Sequence, residues 1–137
     1  MKRRITFIVA LLMIIALGTH AVVMADDASL YNNNTGMMNS SFVITETGEA
    51  IVGVNYEGYT GVTTGATITI KIEKRTLLFF WSDVVDETIT AVGDRYFKEF
   101  YYQLEDKGTY RCTVVYTVSG TGGADDVLTF EDTEKYE

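Results

Sequence analysis

An alternation of apolar and polar residues with a period of two most limits the folds open to this chain. In the segment Ala66 to Lys74, three isoleucines alternate with threonine and charged residues. The segment Gly108 to Ser119 alternates in the same way, and no segment holds a sustained apolar period of 3.6 residues. Successive side chains of a strand point to opposite faces of a sheet, so this pattern predicts half-buried strands and an all-β fold.

Short β-branched and aromatic runs, separated by Gly, Asp and Asn, continue through the chain from Phe42 onward. They predict further strands at Phe42 to Glu46, Ala50 to Tyr56, Leu77 to Trp81, Glu87 to Val92, Arg95 to Leu104 and Asp126 to Glu131. About seven or eight short strands with turns between them indicate a two-sheet antiparallel sandwich over residues 42–137. The preceding residues 26–41 are polar and Asn-rich, and they predict a flexible leader.

The segment from Met1 to Ala25 has the three parts of a secretory signal peptide. Lys2, Arg3 and Arg4 form a charged start, the apolar run from Ile5 to Leu17 follows, and Val23-Met24-Ala25 places suitable residues before a cleavage point. The alternative is a retained membrane anchor, but the apolar run is shorter than the roughly 20 residues that a spanning helix needs. We therefore expect residues 1–25 to be removed and the product to be secreted, without stable membrane insertion after cleavage.

Composition limits the chemistry of the mature chain. The only His of the 137 residues, His20, and three of the eleven basic residues precede the cleavage point, which leaves 8 basic and 19 acidic residues and a formal charge of −11. A chain without His has no Ser-His-Asp or Cys-His machinery and no His-ligated zinc. The acidic charge argues against a nucleic-acid partner. We therefore expect neither an enzyme nor a cofactor.

The acidic residues leave two weaker alternatives. Neighbouring carboxylates could act as acid and base in glycoside hydrolysis, but acidic residues are so frequent here that solvated loops explain the pairs better; they are Asp86-Glu87, Glu105-Asp106, Asp125-Asp126 and Glu131-Asp132. Calcium could bind oxygens of the segment Gly122 to Asp126, although the order Asp-x-Asp-x-Asp-Gly of a dedicated loop is missing. Calcium binding near Asp125 and Asp126 stays open.

One motif points to a fold family. The segment from Asp106 to Cys112 contains Asp106, Gly108, Tyr110 and Cys112 in the order Asp-x-Gly-x-Tyr-x-Cys. It resembles the run that enters strand F of immunoglobulin-like domains, where the tyrosine forms a tyrosine corner with the backbone upstream. The resemblance implies an immunoglobulin-like sandwich in which Tyr110 is that corner, Asp106 lies in the preceding turn and Cys112 points into the core.

The chain departs from the immunoglobulin pattern in two ways. The partner cysteine on the second strand is missing, because Ala50 to Tyr56 offers Val52 and Val54 instead, and Trp81 follows the expected position of the family's tryptophan. We expect Cys112 to be a small buried apolar residue, with an intermolecular disulfide or a reactive thiol as the alternatives.

The overall layout also resembles small secreted proteins of Gram-positive bacteria. In those proteins a signal peptide precedes a compact sandwich with a Lys-Gly-Thr-Tyr-Arg segment late in the chain. Here these residues are Lys107 to Arg111, and the apolar strand pair Ile68 to Trp81 precedes them. The resemblance implies an exported product and supplies no substrate.

Exposed aromatic residues are the candidates for contact with a partner. The run Leu77 to Trp81 is apolar on both faces of its predicted strand, so it is covered by a loop, the leader or another chain, or it leaves an apolar patch exposed. If Tyr102 faces inward, Phe97 and Tyr101 face outward with Glu99. The candidate contact surface is Phe79, Trp81, Phe97 and Tyr101.

Two functions follow from these observations. The first is a secreted, non-enzymatic binding or adhesion module for a protein or glycan at a cell surface, since aromatic residues favour both interface cores and sugar platforms. The second is a structural, self-associating exported subunit, a homo-oligomer in which the strand Leu77 to Trp81 is the interface. A converging cleft of carboxylates, which an enzyme would need, is not indicated by the sequence.

Overall fold

The computed structural model of the protein describes residues 32–137, and this part of the chain folds as seven β-strands. The strands are β1 (Thr35–Ile44), β2 (Glu49–Gly58), β3 (Thr63–Arg75), β4 (Trp81–Val92), β5 (Arg95–Gln103), β6 (Gly108–Gly120) and β7 (Asp126–Tyr136). The predicted signal peptide and the first residues of the predicted leader lie outside the described residues.

The seven strands form two antiparallel sheets. Sheet A has the strand order β1-β2-β5, and sheet B has the order β4-β3-β6-β7. The predicted all-β, two-sheet antiparallel sandwich is therefore confirmed.

Alternation along the strands builds the core. The three isoleucines of β3, Ile68, Ile70 and Ile72, are fully buried, while Thr69 and Lys71 between them are partly exposed on the outside of sheet B. Inward positions of the neighbouring strand β6 and of β2 in the opposite sheet complete the core; these are Ala50, Val52, Val54, Tyr56, Tyr110, Cys112, Val114, Tyr116 and Val118. The alternation of apolar and polar residues in the sequence thus determines which side chains are buried in the core.

Tyrosine hydroxyls connect the two sheets across this core. The ring of Tyr116 on β6 crosses from sheet B, and its hydroxyl lies 2.6 Å from Ser40 Oγ of β1 and accepts the backbone N–H of Asn55 on β2 at 3.2 Å. Tyr102 on β5 reaches the other way and donates to Glu87 Oε2 on β4 at 2.7 Å. These bonds join the sheets in a domain whose only cysteine, Cys112, is unpaired.

Two of the predicted segments are wrong. Strand β1 begins at Thr35 and pairs with β2 along its length, so residues 35–41 belong to the sandwich and not to a flexible leader. The prediction of a strand at Leu77 to Trp81 is also wrong, because residues 77–80 form the loop between β3 and β4, and Trp81 is the first residue of β4. Strand β4 then runs on through the predicted strand Glu87 to Val92.

Candidate functional site

Phe97 and Tyr101 lie on the outer face of sheet A. They occupy alternate outward positions of β5 with Glu99 between them, and their side chains are 72% and 55% exposed. Their separation of four positions along a strand places the two aromatic residues about 13 Å apart. Sheet A therefore presents two aromatic side chains to solvent on one face.

The register of sheet A places a polar groove beside Phe97. Phe97 pairs with Asn55, Glu99 with Gly53 and Tyr101 with Ile51, and β1 adds Ser41 beside Gly53. A Cβ atom at Gly53 would clash with Ser41 Oγ, so glycine keeps the floor of the groove low. The open groove has a volume of about 90 Å³ and is lined by Phe97 and by the polar side chains of Asn39, Ser41, Asn55 and Glu99.

A hydrogen bond joins Tyr101 to Glu99, which lines the groove. The hydroxyl of Tyr101 donates to Glu99 Oε2 at 2.6 Å, and this bond, with the charge of Glu99, raises the pKa of Tyr101 above its ordinary value. Tyr101 therefore stays protonated at neutral pH, and its ring is oriented by Glu99. An oriented ring loses less conformational freedom when a ligand binds.

The loop between β3 and β4 carries the second exposed apolar surface. Its four consecutive residues are 65–83% exposed, and we call them the apolar tip: Leu77, Leu78, Phe79 and Phe80. Of the alternatives for this run, cover by a loop inside the domain is therefore wrong for the described residues. The turn is closed by the N–H of Thr76, which donates to the carbonyl of Phe80 at 3.0 Å, and by the N–H of Phe80, which donates to the carbonyl of Leu77 at 3.4 Å.

Trp81 lies at the base of the apolar tip and contacts charged groups on the outer face of sheet B. The guanidinium of Arg111 lies 4.4 Å from the centre of its ring. Arg111 also donates two hydrogen bonds to Glu73 Oε2, at 2.7 and 3.0 Å, and Lys71 bridges Glu73 and Asp83. The half-buried indole therefore packs over an ion-pair network, with a cation–π contact to Arg111.

The structure does not bring the four candidate contact residues onto one surface. Phe97 and Tyr101 share the outer face of sheet A, whereas Phe79 and Trp81 belong to the hairpin of sheet B. These candidate residues therefore lie on two separate surfaces of the described sandwich, one on each sheet.

The residues of the predicted tyrosine corner lie together at the start of β6. Tyr110 is buried, and its hydroxyl donates to the backbone carbonyl of Asp106 at 2.5 Å. The carboxylate of Asp106 accepts Lys74 Nζ at 3.0 Å, and Gly108 has a φ of +148°, in the region that favours glycine. This geometry fixes the connection between β5 and β6.

We predict that Tyr110→Phe lowers the free energy of unfolding by about 1–2 kcal/mol, because the carbonyl of Asp106 loses its donor while the packing of the ring is kept. Urea denaturation of the purified protein measures the change. An unaltered denaturation midpoint would show that this hydrogen bond contributes nothing to stability.

Cys112 lies fully inside the core. Burial, and secondarily the charge of Asp132, raise the pKa of its thiol to about 12. A thiol that stays protonated at neutral pH is a poor nucleophile. Arg111 points to the opposite face of β6 and does not activate it.

The structure also contains a set of contacts that the sequence did not indicate, which we call the N-terminal clamp. Both carboxylate oxygens of Asp126 accept backbone N–H groups, from Asn33 at 2.8 Å and from Asn34 at 2.7 Å. The buried side chain of Asn34 donates to the carbonyl of Ala124 at 3.0 Å and accepts the N–H of Gly122 at 3.1 Å. The described end of the predicted leader is therefore bound to the turn between β6 and β7.

Glycine is required in this turn because the N-terminal segment packs directly on its backbone. A Cβ atom at Gly122 would clash with the carbonyl oxygen of Asn33. Burial raises the pKa of Asp126, but the N–H groups of the N-terminal clamp outweigh burial and hold that pKa below its ordinary value. The carboxylate of Asp126 is thus charged and bonded to protein donors at neutral pH.

No group of three or more His, Cys, Asp and Glu residues is arranged to hold a metal ion in the described part of the chain. At the segment considered for calcium, the carboxylate of Asp126 and the carbonyl of Ala124 accept the hydrogen bonds of the N-terminal clamp. Residues 32–137 contain no helix that could cross a membrane.

Comparisons with protein-family models, with curated proteins and with solved structures find no match to this chain.

Proposed function

We propose that the chain is exported, that residues 1–25 are removed, and that the sandwich is a non-enzymatic module that binds a glycan on the outer face of sheet A. The observation that carries the proposal is the pair of exposed rings, Phe97 and Tyr101, on the outer face of β5, with Phe97 lining a polar groove. Export is supported by the charged start at Lys2 to Arg4 and the apolar run from Ile5 to Leu17.

The chemistry of the groove suits a sugar chain. A pyranose ring has an apolar C–H face that packs on an aromatic ring, and its hydroxyls need hydrogen-bond partners at the rim. Phe97 and Tyr101 supply the rings, Asn39 and Asn55 supply amide groups in the row of Phe97, and Glu99 supplies a carboxylate between the rings. The spacing of the rings along β5 fits an oligosaccharide that runs parallel to the strand.

A binding role is favoured over hydrolysis by the carboxylates of the groove. Glycoside hydrolysis by the common mechanisms needs two carboxyl groups on either side of the bond that is cleaved. Among the described residues that line the groove, Glu99 is the single carboxylate, and it accepts the hydroxyl of Tyr101. The groove is therefore equipped to hold a sugar and lacks an acid–base pair.

We also infer that the sandwich is immunoglobulin-like. The sheet β1-β2-β5 corresponds to strands A, B and E of that fold, and the sheet β4-β3-β6-β7 corresponds to C′, C, F and G. The hydrogen bond from Tyr110 to Asp106 has the geometry of a tyrosine corner. The segment Lys107 to Arg111 is the residue pattern that supports an origin among small secreted proteins of Gram-positive bacteria.

Affinity electrophoresis in gels that contain soluble dextran, β-1,3-glucan or galactomannan tests the glycan proposal. We expect at least one polysaccharide to retard the protein, and the double variant Phe97→Ala/Tyr101→Ala to bind at least about fivefold more weakly, since each aromatic contact is worth about 0.5–1.5 kcal/mol. Phe79→Ser is the matched control, because it removes an exposed ring outside sheet A.

Two results would contradict the proposal. One is equal retardation of the wild-type protein and the double variant. The other is the absence of retardation in every gel together with capture of the protein by a surface protein. Near-ultraviolet circular dichroism of the double variant verifies that the fold is intact, which is expected because both side chains point to solvent.

A further inference from the structure

We propose that the apolar tip inserts into the surface of an anionic phospholipid bilayer and docks the sandwich there. This surface lies on sheet B and is separate from the groove of sheet A. The proposal therefore does not depend on the glycan proposal.

The shape of the apolar tip favours lipid over a protein partner. Leu77, Leu78, Phe79 and Phe80 are consecutive at the end of a hairpin, and all four are largely exposed, so apolar surface points in several directions from one projection. A folded partner with a flat patch covers one side of such a projection. Fluid acyl chains surround it on all sides, and Leu and Phe are among the residues that bury in the boundary between headgroups and acyl chains.

The backbone of the apolar tip already satisfies part of its hydrogen-bonding capacity, which a lipid environment requires. The carbonyl of Phe80 accepts Thr76, and the carbonyl of Leu77 accepts Phe80. The carbonyl of Leu78 accepts two donors of the Arg75 guanidinium, Nε at 3.1 Å and Nη2 at 2.5 Å. Three of the four carbonyls in the tip therefore have a partner within the same turn.

One cation at the base of the apolar tip, Arg75, can meet an anionic headgroup, even though the chain as a whole is acidic. Within residues 32–137, the guanidinium of Arg75 forms no ion pair, whereas the nearby Lys74 and Arg111 are neutralised by Asp106 and Glu73. The segment from Thr76 to Ser82 contains no carboxylate. Trp81 follows the tip directly, and tryptophan is enriched where a protein meets the headgroup region.

Trp81 supplies a specific readout, because it is the only tryptophan of the chain. The full chain is mixed with vesicles of phosphatidylcholine and phosphatidylglycerol that carry bromine on their acyl chains, and quenching of Trp81 fluorescence is measured. Quenching by bromine needs the indole near the acyl region. The readout therefore reports the position of the apolar tip even if the apolar run from Ile5 to Leu17 also binds the vesicles.

We expect quenching of Trp81 in the wild-type protein, more strongly in phosphatidylglycerol vesicles than in vesicles of phosphatidylcholine alone. Leu78→Ser/Phe79→Ser should abolish the quenching, and the variant Phe97→Ser/Tyr101→Ser should retain it. Arg75→Gln should reduce the preference for phosphatidylglycerol.

Unquenched Trp81 in wild-type protein, or equal quenching in Leu78→Ser/Phe79→Ser, would overturn the proposal. Sedimentation equilibrium without lipid gives a second measurement. A dimer that Leu78→Ser/Phe79→Ser dissociates would assign the apolar tip to contacts between copies of the chain instead. Absence of glycan binding by the wild-type protein, with quenching of Trp81 retained, would leave the lipid proposal standing alone.

Discussion

Asp126→Asn is expected to lower the free energy of unfolding by about 2–4 kcal/mol, because a buried carboxylate loses two charge-assisted hydrogen bonds. Each hydrogen bond to a charged acceptor contributes about 1.5–3 kcal/mol. An asparagine amide keeps one acceptor and places an NH₂ group against the other N–H donor. Urea denaturation measures the loss, and amide hydrogen exchange at Asn33 and Asn34 reports whether the N-terminal clamp opens.

The matched control for this prediction is Asp125→Asn, which removes the same charge from the exposed neighbouring residue. It should change the free energy of unfolding by less than about 0.5 kcal/mol. If both variants lost the same stability, the net charge of the chain and not the hydrogen bonds of Asp126 would be responsible.

The contribution of Asp126 should also depend on pH in a defined direction. Its pKa is lower in the folded protein than the ordinary value of about 3.9, so its contribution is complete above that value. It is lost as the pH falls through the folded pKa. The stability difference between wild-type protein and Asp126→Asn should therefore be constant near neutral pH and shrink below about pH 4.

Tyr116→Phe is expected to lower the free energy of unfolding by about 2 kcal/mol, since a buried polar group left without a partner costs about 1–3 kcal/mol. The ring would keep its place in the core, but Ser40 Oγ and the N–H of Asn55 would lose the hydroxyl that joins sheet B to sheet A. Thermal and urea denaturation of the purified variant measure this effect.

Tyr96→Phe is the control for Tyr116→Phe. The ring of Tyr96 stacks on Tyr56 at a centroid distance of 6.4 Å, and its hydroxyl bonds to no other group of residues 32–137. The control should be nearly neutral. Equal losses in both variants would mean that removal of any core tyrosine hydroxyl is costly and that the connection between the sheets has no special role.

The fold was predictable where side chains alternate. In β3 and β6 each outward threonine or arginine separates two buried residues, and this pattern assigns both the strand and its inner face. The outward positions of Phe97 and Tyr101 follow from the same rule once the register of β5 is set. The candidate surface on sheet A was therefore partly visible in the sequence, but its groove depends on Gly53 and Ser41, which only pairing between strands brings together.

The two wrong predictions, a strand at Leu77 to Trp81 and a flexible leader up to residue 41, have physical causes. A continuous apolar run such as Leu77 to Phe80 has no alternation, so local sequence does not distinguish a covered strand from an exposed turn; closure of the hairpin at Thr76 and Phe80 decides it. The Asn-rich segment before β1 has the composition of a flexible chain. It is ordered by Asp126, and the backbone of Asn34 meets that residue 92 positions away in the sequence.

The N-terminal clamp has a consequence for the order of folding. A chain that emerges N-terminus first presents Asn33 and Asn34 early, whereas Gly122 and Asp126 arrive after six of the seven strands. Loop closure over so long a separation is slow, so the first strand stays unanchored at its start until the last hairpin forms. The hydrogen bonds between the two ends of the domain therefore form late, after all the strands of the sandwich have been synthesised.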